Sequence, residues 1–282
     1  MTDLSLTARR EALHRSAPEA SAPINPFALL RRVPIGVYSS VGLIAAWALA
    51  SGLHLVPALF LPSPATVLQQ FVAVSTDGFS NATLAQHAGI SLFRVLSAFA
   101  IATTIGIPLG LAMGINRWVR GVFDPPISFY WPIPPLAYLP LIIIWLGIGE
   151  AAKIALITLA MLAPIVVNAQ AGVRSVSEGR IQAALSLGAS RRQVFFHVIA
   201  RGALPEILTG LRIAIGSGWG TLVAAELVAA TRGLGFMTLS AAQFLVTEVV
   251  FVGIFSIAAL AMLCLAAIRL LERLLTPWKG KD

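Results

Sequence analysis

Glu226 is the most informative acid in the chain, because it lies inside the apolar run Ile207 to Ala230. An ionisable group at membrane depth faces protein interior and is a candidate for lining a path or relaying charge. The alternative is a structural ion pair with Arg232, Arg94 or Lys153. Trp219 lies seven residues earlier, on nearly the same helix face, and serves either that path or aromatic packing. Arg94 and His87, also seven apart, are candidates with Arg232 for a positive outer rim that would attract an anionic solute; interfacial snorkelling is the other reading. Trp131, Tyr138 and Trp145 recur every seven residues in a proline-rich run, so they line an amphipathic path or form an aromatic belt. Glu150 and Lys153 have the i, i+3 spacing of a modest local pair. Asp124, before Pro125 and Pro126, reads as a cap or turn acid. No carboxylate pair, metal-ligand cluster or Ser/His/Asp arrangement stands out, so the residues offer no catalytic set and no metal site. The lone Cys264 excludes an internal disulfide framework.

The elements that hold these residues are membrane-length. The chain has 282 residues, 57% hydrophobic and only 11% charged, with mean hydropathy +0.85. Soluble domains carry about 25% charged residues, so this composition predicts an all-α polytopic membrane protein. Its net charge of +8 is spread between the apolar runs. There it sets orientation rather than forming a nucleic-acid patch. Residues 1–32 read as a disordered cytoplasmic tail. A transmembrane domain follows over 33–273, then a short cytoplasmic tail over 274–282.

Six spans are expected. The first, Pro34 to Leu53, reads as an uncleaved anchor. Residues 54–83 form an external loop with a short amphipathic helix. The second run, Leu84 to Ile115, is longer than a bilayer core of about 30 Å requires, which places His87 and Arg94 at the outer interface. The third, Val122 to Gly147, holds six prolines and is expected to be kinked and interior. Lys153 to Gly172 returns inward, Ile207 to Ala230 leads out, a re-entrant segment over Thr231 to Thr247 follows, and Val249 to Leu271 ends inside. With both termini inside, all of the 20 Lys and Arg except Arg94, Lys153, Arg212 and Arg232 fall on the inner side, as the positive-inside rule requires.

The longest break between apolar runs, about 174–205, carries helix punctuation. Ser177 is placed to cap a helix with Glu178 at its positive end. That helix presents Ile181, Ala184 and Leu185 on one face and stops at Gly188. Ser190-Arg-Arg-Gln193 reads as a capping box that restarts a helix. The resulting helix-turn-helix lies outside the lipid and is more than a connector needs, which points to a docking surface.

Gln182-Ala-Ala-Leu-Ser-Leu-Gly188 resembles the EAA loop of ABC importer permeases. Gly106-Ile-Pro-Leu-Gly110, Pro132-Ile-Pro-Pro135, Trp145-Leu-Gly-Ile-Gly-Glu150, Leu187-Gly-Ala-Ser190 and Ile207-Leu-Thr-Gly-Leu-Arg212 are similar to the nitrate/sulfonate/taurine branch of that family. Val223-Ala-Ala-Glu226, Ala230-Thr-Arg-Gly-Leu-Gly-Phe236 and Leu275-Thr-Pro-Trp278 are most like its taurine-importing members. The sequence departs from the pattern at Gln182, where Glu is usual, and at Ala200-Arg201, where Leu-Pro is common. The resemblance implies a type I ABC importer permease fold and import of taurine or a similar small sulfonate, with alkanesulfonate or nitrate as alternatives. It implies a homodimer in the bacterial inner membrane, worked by two copies of a cytoplasmic ATPase and fed by a periplasmic solute-binding protein. ATP and Mg would be bound by the ATPase, and no cofactor by this chain, which has no Gly-x-x-x-x-Gly-Lys-[Ser/Thr] run. Gln182, Ala183, Ala184, Gly188, Ala189, Ser190 and Arg191 would be the ATPase-coupling residues. An integral membrane enzyme would need a polar catalytic cluster, and an ion-coupled secondary transporter would need more buried acids than Glu226.

Overall fold

Residues 35–277 are described in the computed structural model of the chain. The tail expected over 1–32, and Trp278, Lys279 and Lys281 at the other end, lie outside them. Regular structure among the described residues is helical, apart from one isolated antiparallel bridge between Phe79 and Ala82. The chain divides after Leu55. The first unit holds α1 (Ile35–Gly52), an apolar helix matching the first expected span.

The second unit starts with α2 (Pro64–Thr76), the expected short helix of the 54–83 loop. Ser63 Oγ accepts from Thr66 N–H and Pro64 opens its first turn, the arrangement those residue types favour. There follow α3 (Leu84–Ile115), α4 (Arg117–Tyr130), α5 (Pro135–Leu146), α6 (Glu150–Ser175) and α7 (Glu178–Ser186). A single turn, α8 (Arg191–Gln193), and a π-helical stretch (Val194–Ile199) run without a break into α9 (Ala200–Ala229); α10 (Leu234–Gln243) and α11 (Thr247–Leu275) complete the chain. By length and apolarity α3, α6, Arg191–Val228 and α11 can each cross a membrane, and α4 with α5 makes a fifth span if the bent pair is counted as one. The shorter α1 occupies the place of the remaining expected span.

The core is a three-helix stack. Val95, Ala98 and Ala102 of α3 meet Ile157, Met161 and Ile165 of α6 and Ile215, Trp219 and Leu222 of α9. In lipid, helices associate through close packing rather than the hydrophobic effect, so small residues mark the seams. Gly106, Gly110 and Gly114, one per turn on α3, press on Ile165, Val166 and Val173 in that order, which makes α3 and α6 parallel. Gly172 meets Ala203 and Gly210 meets Pro164, which makes α9 antiparallel to α6. Outward-facing Met262, Leu263 and Leu274 of α11 are each more than 65% exposed, as a lipid-facing stripe would be.

The third run is kinked as expected, with α4 and α5 bent by 108°, and part of it is left uncovered by the rest of this chain. Phe129, Ile144 and Trp145 are at least 70% exposed. On α5, Leu139 and Ile142 are buried against Ala152, Leu156 and Ala225, with Tyr138 and Ile143 partly buried beside them. One expectation is corrected: Asp124 is neither a cap nor a turn residue. It lies inside α4, whose cap is Asn116, accepting from Trp118 N–H.

Candidate functional site

Three places in the fold gather the candidate residues: the hairpin, a charged cluster at the opposite end of the bundle, and a cavity between them.

The hairpin is formed largely by local capping. Gly188 follows α7 at φ +83°, a left-handed position that costs a residue with a Cβ about 1–2 kcal/mol. Gly188 N–H donates to Leu185 O and Ala189 N–H to Ala184 O, the paired bonds of a Schellman ending. The capping box is present: Gln193 N–H donates to Ser190 Oγ, and Ser190 N–H to Gln193 Oε1. Ser177 stands at the start of α7, but its side chain makes no cap bond. Its carbonyl takes the N–H groups of Arg180 and Ile181 instead. Gln182, Ala183, Gly188, Ser190 and Arg191 are exposed, while Ala184 and Ala189 are half-buried. Between α7 and the π-helical stretch is a depression of about 480 Å³ whose lining includes Ala184, Gly188, Ala189, Gln193 and His197. Leu187, which the sequence reading did not single out, stands on it 89% exposed. Its signal was an apolar residue immediately before the terminating glycine.

At the other end, Arg94 is 2% and Glu226 0% exposed. Arg94 Nη1 donates to Glu226 Oε1 at 2.6 Å and to Arg232 O at 2.9 Å. Its Nε and Nη2 grip Glu150 at 2.6 and 2.7 Å, a two-pronged carboxylate contact. Lys153 Nζ adds a 3.0 Å bond to Glu150, the local pair expected from spacing. Glu226 Oε1 also accepts from Ser91 Oγ at 2.7 Å, and Oε2 from Gly235 N–H at 2.7 Å. Ser91 Oγ in turn accepts from Leu234 N–H. His87 Nδ1 accepts from Gly233 N–H at 3.0 Å, so the neutral ring carries its proton on Nε2 and donates to Phe79 O at 2.9 Å. Gly233, at φ +135°, wraps so closely that a Cβ there would overlap the Glu226 carboxylate. This is the ion-pair alternative for Glu226. Arg94 and His87 do not form an exposed rim, because packing of α3 against α6 and α10 buries both. Arg232 is exposed and contributes its carbonyl.

The cavity lies at the break between α4 and α5, with a volume of about 380 Å³. Trp131 and Tyr138, two path candidates, line it with Tyr130 of α4 and with Ser217, Gly220 and Thr221 of α9. Trp219 and Glu226 do share a face, as their spacing predicts, but it is the face packed on α3 and α6. The cavity-facing stripe of α9 is Ser217, Gly220, Thr221 and Ala224. The missed residues Ser91, Gly233, Gly235, Ser217 and Thr221 are small and neutral, and only tertiary structure distinguishes them from other serines, threonines and glycines.

Residues 102–278 match the family of binding-protein-dependent transport system inner membrane components. The chain is 53% identical over 254 residues to the taurine transport system permease protein TauC of Escherichia coli, covering 90% of this chain and 92% of that one. It is 40% identical to the putative aliphatic sulfonates transport permease protein SsuC of Escherichia coli, over 89% of this chain and 93% of that one. It is 31% identical to the nitrate import permease protein NrtB of a Synechocystis strain, over 78% and 82%. Among solved structures, a chain of the inward-facing MetNI methionine ABC transporter superposes with TM-score 0.60 at 20% identity, over 68% of this chain and 96% of that one. That likeness establishes the type I ABC importer permease fold. A helical bundle of membrane length, a capped hairpin at one end and a family match over most of its length together mean that this chain belongs to the binding-protein-dependent transport system inner membrane components.

Proposed function

We propose that this chain is the permease subunit of an ATP-driven importer of taurine or a similar small sulfonate. It works as a homodimer with two cytoplasmic ATPases, which bind ATP and Mg, and a periplasmic binding protein that delivers the solute. Both termini and the hairpin face the cytoplasm. The substrate reading rests on the 53% identity to a taurine permease; aliphatic sulfonates and nitrate follow from the more distant relatives.

The observation that carries the mechanism is the unbroken helix Arg191–Val228. It begins in the hairpin and ends beside the buried Arg94–Glu226 pair, and its middle forms a wall of the cavity. Movement of Gln182, Ala183, Ala184, Gly188, Ala189 and Ser190 on a partner ATPase reaches Arg191 through the capped turn at residues 188–190, and from Arg191 the helix carries it to Ser217, Gly220 and Thr221. Trp131 and Tyr138 lie along the path; Trp219 and Glu226 back the wall and hold it in register. Glu226 is already satisfied by Arg94, Ser91 and Gly235, which supports a structural role over ion coupling.

The test is taurine uptake into proteoliposomes holding the permease, its ATPase and its binding protein. Uptake should require ATP hydrolysis and continue with no ion gradient. Uptake driven by a gradient without ATP would overturn the proposal.

A further inference from the structure

Resting on the permease reading above, we propose that the cavity at the α4–α5 break is a contact site for a small zwitterion with no net charge, and that it discriminates against a solute carrying only the anionic group. The first observation is the absence of charge. Among the residues lining the cavity there is no Lys, Arg, His, Asp or Glu. Arg94 and Lys153 are buried and bound to acids. A lone anion moved from water into such a site costs several kcal/mol unless a cation meets it. A molecule holding both charges carries its own counter-ion.

The second observation is polarity of the right two signs. The cavity is lined by Tyr130 and Trp131, where α4 ends, and by Pro134 and Pro135, where α5 begins. A helix carries about half a negative charge at its C-terminus and half a positive charge at its N-terminus. The broken span therefore sets two opposite partial charges at one cavity, the arrangement by which discontinuous membrane helices hold charged solutes. The ammonium belongs at the α4 end, where the aromatic residues Tyr130 and Trp131 line the cavity. The sulfonate belongs toward α5 and the Thr221 hydroxyl of α9.

The third observation is a free donor. Thr221 is 6% exposed and lines the cavity. Thr158, Thr209 and Thr238 each donate to the carbonyl four residues back; the Thr221 hydroxyl has no hydrogen-bond partner among the described residues. Its hydroxyl opens on the cavity and is not among the sealed, unpartnered side-chain atoms, so a solute there can accept from it. Ser217, one turn earlier, has its one hydroxyl proton engaged by Ala214 O, with Ala160 O as the alternative acceptor, which leaves Thr221 as the free hydroxyl donor of this stripe.

The experiment uses the purified permease–ATPase complex in lipid nanodiscs, without binding protein, and radiolabelled taurine as the probe. Taurine binds, and unlabelled taurine displaces it at least about tenfold better than ethanesulfonate, which lacks the ammonium. Thr221→Val weakens binding about tenfold, and Thr221→Ser restores it, which separates loss of the hydroxyl from loss of folding. Absence of binding, equal displacement by ethanesulfonate, or Thr221→Val equal to wild type would each overturn the site. If the full complex still imports taurine with ATP in that case, the permease reading stands and only this inference falls. If it imports no taurine, the substrate reading falls first.

Discussion

Arg94 makes four hydrogen bonds to protein, to Glu226, Glu150 and the Arg232 carbonyl, and this saturation is what permits a guanidinium to be buried. Removing one partner of a buried pair leaves an uncompensated charge and costs about 3–5 kcal/mol, whereas replacing both by apolar groups is far less damaging. Arg94→Met should therefore lower the thermal unfolding midpoint of the purified protein sharply, and Arg94→Met with Glu226→Leu should recover part of the loss. An unchanged midpoint for the single variant would show that the pair holds nothing together. Lysine is no substitute at Arg94, because a single ammonium cannot span two carboxylates and a carbonyl. The partnership was among the readings open from the sequence, since Glu226 is an acid in an apolar run. The neutral groups that complete it were not. Ser91 and His87 gain their meaning from the N–H groups of Leu234 and Gly233, more than 140 residues away.

The hairpin and α9 show where the sequence is most and least readable. Caps are local chemistry, so the Ser190 box and the Gly188 ending were legible from a few residues each. Ser177 takes the N-cap position as its type and place suggest, but its carbonyl rather than its hydroxyl receives the free N–H groups. For the third run, proline content tells where a helix breaks and not what covers it. The common face of Trp219 and Glu226 was legible from periodicity, but not its direction. A helix with apolar or small residues on every side has two faces to offer, and only the packing of α3 and α6 chooses between them. At the scale of the hairpin the expected outcome concerns docking. An added Cβ at Gly188 meets open space in this chain, so Gly188→Arg costs only the strain of its positive φ, about 1–2 kcal/mol. The variant should insert and remain folded yet fail to co-purify with the ATPase. Normal co-purification and transport would remove the hairpin from the coupling role.

For the molecule as a whole, the distribution of arginine and lysine predicts the side on which the hairpin lies. Cys264 is the only native cysteine. Leu187→Cys in a Cys264→Ala background, at a position 89% exposed, should react with a membrane-impermeant maleimide in inside-out vesicles and stay unlabelled in right-side-out ones. The reverse pattern would invert the topology and end the lever mechanism. Within that topology, α9 interleaves two sets of residues that share no member: Ser217, Gly220, Thr221 and Ala224 on one flank, and Ile215, Trp219, Leu222 and Glu226 on the other. Neighbours in the chain thus face different surroundings, the cavity on one flank and packed helices on the other. On the proposed reading, substitutions in the first set would change what the cavity accepts, while those in the second would disturb the packing of α3 and α6. Inserting one residue would turn the helix by about 100° and exchange the two, which makes register, more than composition, the quantity this helix must conserve.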